Sequence, residues 1–130
     1  MDELLPLAEQ IAHLLIARNQ TIAVAEPSGG GLISAALLSV PGGSAYFLGG
    51  VVVYTRVSRE AFLEITVSAL ENVRPSTEAF AALLARSARN RLGTTWAIGE
   101  RTPLVRQAIP TATHPAPLFR GQRSHAQPRC

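Results

Sequence analysis

Apolar residues recur at helical spacing through Leu4, Leu5, Ala8, Ile11, Ala12, Leu15 and Ile16, and predict a first helix that Asn19 stops. A short apolar run, Thr21–Ala25, then predicts a buried strand. The polar, glycine-rich segment Glu26-Pro27-Ser28-Gly29-Gly30-Gly31 follows it, and Gly31–Val40 reads as a second helix. Pro41-Gly42-Gly43 marks a turn. Val51–Thr55, β-branched at most positions, predicts a second strand, and Ser58 precedes a short helix through Ile65. A break at Arg74-Pro75-Ser76 leads to a helix capped by Ser76 or Thr77. Its apolar face is Phe80, Leu83, Leu84 and Ala88, and Gly93 ends it. Thr94–Gly99 predicts a third strand, with Trp96 and Ile98 on its buried faces. This alternation argues for an α/β fold: three layers, α/β/α, around a mixed, mostly parallel sheet.

Strand, glycine turn, helix is a recurring way to build an anion site. Amides at a helix start point outward, the helix dipole adds partial positive charge, and glycine lets the backbone approach a phosphate. The same arrangement also serves where only a tight turn is needed. The spacing is neither G-x-G-x-x-G nor a P-loop. In parallel sheets ligands sit beyond the carboxyl ends of the strands, which places Glu26 and Tyr54 at one end of the sheet, near Ser28. Ser28 reads first as a helix N-cap, a position serine favours, and as a nucleophile only if the turn is rebuilt.

The run from Thr21 to about Ile65 resembles the CinA C-terminal domain, the nicotinamide-nucleotide amidase family. That family carries A-E-S-C-T-G-G, an apolar helix, P-G-S-S, a glycine pair, V-x-Y, and a lysine five residues after the tyrosine. Here Ala25-Glu26-Pro27-Ser28-Gly29-Gly30-Gly31, Pro41-Gly42-Gly43-Ser44, Gly49-Gly50, Val52-Val53-Tyr54 and Arg59 stand at those positions without a gap. The resemblance implies hydrolysis of nicotinamide mononucleotide to the nicotinate nucleotide and ammonia, with no cofactor, in a bacterium; the composition fits a cytoplasmic protein. It implies Glu26, Gly29, Gly30 and Gly31 as substrate-binding residues and Tyr54 as a catalytic one; Arg59, at the family's lysine position, and Ser28, one residue past its serine position and a stand-in for it, complete the catalytic candidates. The glycines would hold the phosphate or an oxyanion, Tyr54 would polarise or relay a proton, and Arg59 would hold an anion.

The chain departs from the family at the chemistry. The family's serine position is Pro27, its lysine position is Arg59, and the chain contains no lysine. Proline offers no hydroxyl, and arginine stays protonated and cannot act as a base. The alternative reading is therefore a non-catalytic domain that binds a nucleotide or a partner protein.

No apolar stretch reaches membrane-spanning length, and the chain starts Asp2-Glu3 rather than with a basic signal-peptide start. The lone cysteine is Cys130, so neither a disulfide framework nor a cysteine-rich metal site is expected. His13 reads as a core or rim residue, and His114 and His125 lack partners at ligand spacing, so no metal is expected. The formal charge of +3 is unevenly spread. Residues 1–100 hold seven arginines against nine acids, whereas residues 101–130 hold five arginines and no acid. That tail lacks helical or strand period and interleaved aromatics, so no specific nucleic-acid recognition is expected. Codons for Pro103 to His114, read one base earlier, permit A-G-P-T-G-N-P-Y-G-D-P, which is what a CinA-like loop looks like. The division expected is a CinA-like α/β domain over 1–100 and an out-of-frame tail over 101–130. A sheet without its later strands leaves an open edge, so self-association is expected.

Overall fold

The structure, a computed structural model, describes residues 1–101; the readings made for the tail beyond them lie outside the described residues. Helix α1 spans Leu4–Arg18 and stops at Asn19, which takes a left-handed conformation with φ 51°. Asparagine tolerates that region better than most residues. Strand β1 spans Ile22–Glu26, and every residue of it is buried. Helix α2 spans Leu32–Ser39, a 3₁₀ turn covers Gly43–Ala45, and strand β2 covers Phe47–Val52. Helix α3 spans Arg56–Leu63, a second 3₁₀ turn Ser68–Leu70, helix α4 Glu78–Leu92, and strand β3 Trp96–Gly99.

The three described strands form a parallel sheet in the order β2-β1-β3. Side chains on β1 alternate between two cores, as the period of a strand requires. Ile22 and Val24 pack with Ala8, Ala12 and Leu15 of α1 and Ala36 and Leu37 of α2. Ala23 and Ala25 pack with Leu63 of α3, with Phe80, Leu84 and Ala88 of α4, and with Val53 and Ile65. Helices therefore cover both faces, as the alternating pattern predicts. Tyr46 is buried in the first core and donates its hydroxyl to the carbonyl of Leu37. Burial raises its phenol above the usual value.

Two elements lie elsewhere than their sequences suggest. Strand β2 runs Phe47–Val52 rather than Val51–Thr55. Its glycine pair argues against a strand by propensity, but packing overrides propensity here. A Cβ on Gly50 would overlap Ser34 Oγ of α2, and one on Gly49 would lie 3.1 Å from Leu92 of α4. The glycines let a helix approach each face. Helix α3 begins at Arg56, before Ser58, because Thr55 is its cap. The Ser58 amide donates to Thr55 Oγ1 at 3.2 Å, and the Thr55 amide donates to Ser58 Oγ at 3.1 Å. This reciprocal pair is a capping box, and it takes Thr55 out of the strand. Helix α4 keeps its expected limits: the Phe80 amide donates to Thr77 Oγ1 at 3.2 Å, and Gly93 closes it with φ 66°.

Strand β3 fits against α4 through Gly99. A Cβ there would overlap the carbonyl oxygen of Ala81 and lie 2.9 Å from the amide of Ala85. Both obstacles are backbone and cannot rotate away. Gly99→Val is therefore expected to destabilise the domain by about 3 kcal/mol, the upper end of the usual overpacking cost, by separating β3 from α4. Urea unfolding checks this, and a midpoint unchanged from wild type would contradict the packing. Trp96 is half-exposed rather than buried, and its indole donates to Gln20 Oε1 at 2.9 Å. Ile98, on the same face, packs against the α1–α2 core.

Candidate functional site

The carboxyl ends of the three strands carry the residues singled out in the sequence. Glu26 is the last residue of β1 and pairs in register with Val52, so Tyr54 lies just past the same edge of β2. The carbonyl of Glu26 accepts from the amide of Val53 at 3.1 Å, which ties these two strand ends together. Strand order reverses at β1, the kind of position where crevices open in parallel sheets. Glu26, Ser28 and Tyr54 therefore share one end of the sheet, as expected.

Glu26 is fully buried, and both carboxylate oxygens are engaged within the chain. Oε1 accepts from the amide of Ile33 at 2.9 Å. Oε2 accepts from the amide of Ser34 at 3.2 Å and from Ser34 Oγ at 3.0 Å. These are first-turn amides of α2. The helix has Gly31 at its N-cap, with φ 93° and no side chain to cap with. Glu26 supplies the missing acceptor from the end of the preceding strand, and its charge faces the positive end of the helix.

Ser28 is thus not the cap that its position suggests. Gly30 and Gly31 take φ values of 64° and 93°, which delays the helix until Leu32 and leaves Ser28 exposed in the turn. Ser28 Oγ donates to Glu100 Oε1, and the Ser28 amide donates to the same oxygen at 3.1 Å. The Gly29 amide donates to Glu100 Oε2 at 2.5 Å. Glu100 immediately follows β3, and its own amide donates to the carbonyl of Ala25 at 3.1 Å. Sequence reasoning did not single it out. The only signal was its place one residue past the third strand, equivalent to the strand-end positions of Glu26 and Tyr54.

Gly29 lies where the two carboxylates approach each other. A Cβ there would overlap Glu100 Oε2 and come within 2.7 Å of Glu26 Oε1. The turn can hold both acids only because this residue has no side chain. The amides of Gly30 and Gly31 have no protein acceptor among the described residues.

Pro27 is buried. Tyr54 is 77% exposed. Arg59 lies in α3 with its guanidinium carbon 5.5 Å from the centre of the Phe80 ring. Its Nε is buried without a hydrogen-bond partner among the described residues. The structure thus joins Ser28 and Gly29 to Glu100 and places Tyr54 at the same sheet end, while Arg59 packs against α4. His13 is exposed on α1. Among the described residues no helix is long and apolar enough to cross a membrane.

Comparison with known proteins extends this picture. The family model described as CinA C-terminal domain matches residues 4–101. A CinA-like protein of Parasynechococcus marenigrum is 40% identical over 92 residues, which cover 71% of this chain and 22% of the relative. A protein of Moorella thermoacetica named putative competence-damage inducible protein is 38% identical over 86 residues, 66% of this chain and 21% of its own. The chain therefore spans about a fifth of the length of the curated relatives it matches. Among solved structures, the competence/damage inducible protein CihA from Agrobacterium tumefaciens superposes with a TM-score of 0.66 at 26% identity. The match covers 72% of this chain and 57% of that one. The competence damage-inducible protein A of Klebsiella pneumoniae gives 0.67 at 24% identity, over 72% and 58%, and shows the likeness of fold alone.

Proposed function

Because the chain belongs to the CinA C-terminal domain family, we propose that the carboxyl edge of its sheet is a slow amidase site for a pyridine nucleotide of the nicotinamide mononucleotide kind. The observation that carries this reading is Ser28, an exposed hydroxyl held on a carboxylate, with Gly30 and Gly31, whose amides have no acceptor among the described residues, following after Gly29. A nucleophile beside unoccupied amide donors is what acyl transfer needs: an attacking oxygen, and donors for the oxyanion that forms. Tyr54, at the same edge, would polarise the amide or relay a proton. Arg59 of α3, which packs on Phe80 and is half-buried, would hold an anionic group of the substrate.

The reaction is slow for a stated reason. Pro27 and Arg59 remove the hydroxyl and the base that the family resemblance implies, and such residues act as a unit. Ser28 sits one residue later and serves as the stand-in. Purified protein incubated with nicotinamide mononucleotide should release ammonia and the nicotinate nucleotide roughly a thousandfold or more below an intact family member. A rate matching the intact relative would show that Pro27 and Arg59 cost nothing. Nucleotide binding without any ammonia would favour the second reading, a non-catalytic nucleotide-binding domain, which the joint replacement of both proton-handling positions by Pro27 and Arg59 supports. Neither binding nor ammonia would sink both readings.

A further inference from the structure

We propose that Glu100 is the general base for Ser28, so that the two residues form an acyl-accepting pair where β1 and β3 end. The proposal rests on the amidase reading and supplies what that reading lacks. Arg59 cannot take a proton from a nucleophile, and the chain has no lysine to do so. A carboxylate can, and the structure puts one on Ser28 Oγ.

The geometry is specific to this pair. The side chain of Glu100 is held by three donors from two consecutive residues: the hydroxyl and amide of Ser28 on Oε1, and the amide of Gly29 on Oε2. Its backbone is fixed by the bond from its amide to Ala25, which extends the β1–β3 ladder by one residue. The carboxylate is thus oriented from both ends, as a base must be to meet its proton in a fixed position. Glu26, the other acid at this edge, already accepts from Ile33 and Ser34 and lies buried beneath the turn. It cannot exchange roles with Glu100. Ser28 itself is exposed, so its oxygen is reachable from solvent.

Each step balances in atoms and protons. Ser28 Oγ adds to the carbonyl carbon of the amide, and its proton passes to Glu100. The oxyanion formed lies by the amides of Gly30 and Gly31. Its collapse breaks the carbon–nitrogen bond, the nitrogen leaves as ammonia with the proton from Glu100, and an ester remains on Ser28. Water then adds to that ester and gives a proton to Glu100. The second collapse returns a proton to Ser28 Oγ and frees the carboxylic acid, which ionises in water. No oxidant, metal or further co-reactant enters.

An activated-serine probe tests the pair without assuming the substrate. A fluorophosphonate forms a bond from phosphorus to a nucleophilic serine oxygen, fluoride leaves, and the base takes the proton. With the full chain, an adduct is expected on Ser28, located by peptide mass mapping. Ser28→Ala should give none. Glu100→Gln keeps the size of the side chain but not its basicity, and should slow labelling about a hundredfold or more, the usual scale of general-base catalysis. Glu100→Asp should retain part of the rate. Thermal unfolding of each variant confirms that the fold is kept. No adduct on Ser28 in the wild-type protein, or Glu100→Gln labelled as fast as wild type, overturns the proposal. Faster labelling of Glu100→Gln also overturns it, because the carboxylate would then be an obstacle on the turn. Ammonia measured in parallel separates the two levels: labelling that depends on Glu100 without ammonia from nicotinamide mononucleotide rejects the substrate and keeps the pair.

Discussion

Replacing Pro27 by serine and Arg59 by lysine together is expected to raise ammonia release from nicotinamide mononucleotide by about a hundredfold or more over the unaltered chain. Neither replacement alone should approach that gain. The reason is chemical. Serine at 27 restores a hydroxyl at the end of β1, but without a base at 59 its proton has no designated acceptor. Lysine at 59 restores a group that can lose its proton, but with proline at 27 it has no hydroxyl to serve. Residues that act as a unit are lost together and regained together, so the four rates should be far from additive. Arg59→Lys weakens the contact with Phe80, at a cost of about 0.5–1 kcal/mol, which a folded domain tolerates. Steady-state rates of the wild-type, two single and double variants provide the check. Adding Ser28→Ala to the double variant should leave its rate intact, since the stand-in is no longer needed. A double variant no faster than wild type would mean that Pro27 and Arg59 do not limit the chemistry.

Much of the fold was readable because burial imposes simple periods. Helix α4 showed its core face as Phe80, Leu83, Leu84 and Ala88, and β1 showed itself as an unbroken apolar run, the pattern of a strand covered on both faces. What could not be read was set by contacts far along the chain. Gly49 and Gly50 look like a loop until Leu92 and Ser34 are seen pressing on them from opposite faces. Thr55 looks like the last residue of a β-branched strand until Ser58 completes the box with it.

The site divides in the same way. Glu26, Ser28 and Tyr54 could be placed at one sheet end because strand ends can be counted, and the parallel register then brings them to one edge. Their partners could not. The hydroxyl of Ser28 reaches a residue 72 positions away, and Glu26 reaches back under the turn to amides seven and eight positions on. Serine's preference for N-caps pointed to a local role for Ser28. Tertiary structure overrode it, because two left-handed glycines moved the helix start to Leu32 and a buried acid took over the capping. Gly29 was read as a phosphate-cradling residue. In the structure its lack of a side chain has a further use, leaving room for Glu26 and Glu100 on either side of it.

Glu26→Ala is expected to cost the domain on the order of 3 kcal/mol or more, a large share of what a domain of this size has. The carboxylate is fully buried and accepts three hydrogen bonds, two of them from α2 amides that have no other acceptor. Truncation leaves those donors unpaired next to a cavity, and each buried unpaired donor costs roughly 1–3 kcal/mol. Gly31 cannot compensate, having no side chain. Glu26→Gln should cost less, about 1.5–3 kcal/mol. It keeps the volume and one acceptor, but it loses the charge facing the helix dipole and turns an NH₂ group toward N–H donors. Ser34→Ala removes one of the three donors and should cost about 1 kcal/mol. Urea unfolding of the three variants tests the order. Glu26→Ala within about 0.5 kcal/mol of wild type would show that the carboxylate does not hold the start of α2. The same series separates support from ligand binding. If Glu26 acts through the helix start, the stability ranking should be the same with and without nicotinamide mononucleotide. If it instead contacts the nucleotide, Glu26→Gln should unfold like wild type and lose only the stabilisation that added nucleotide gives.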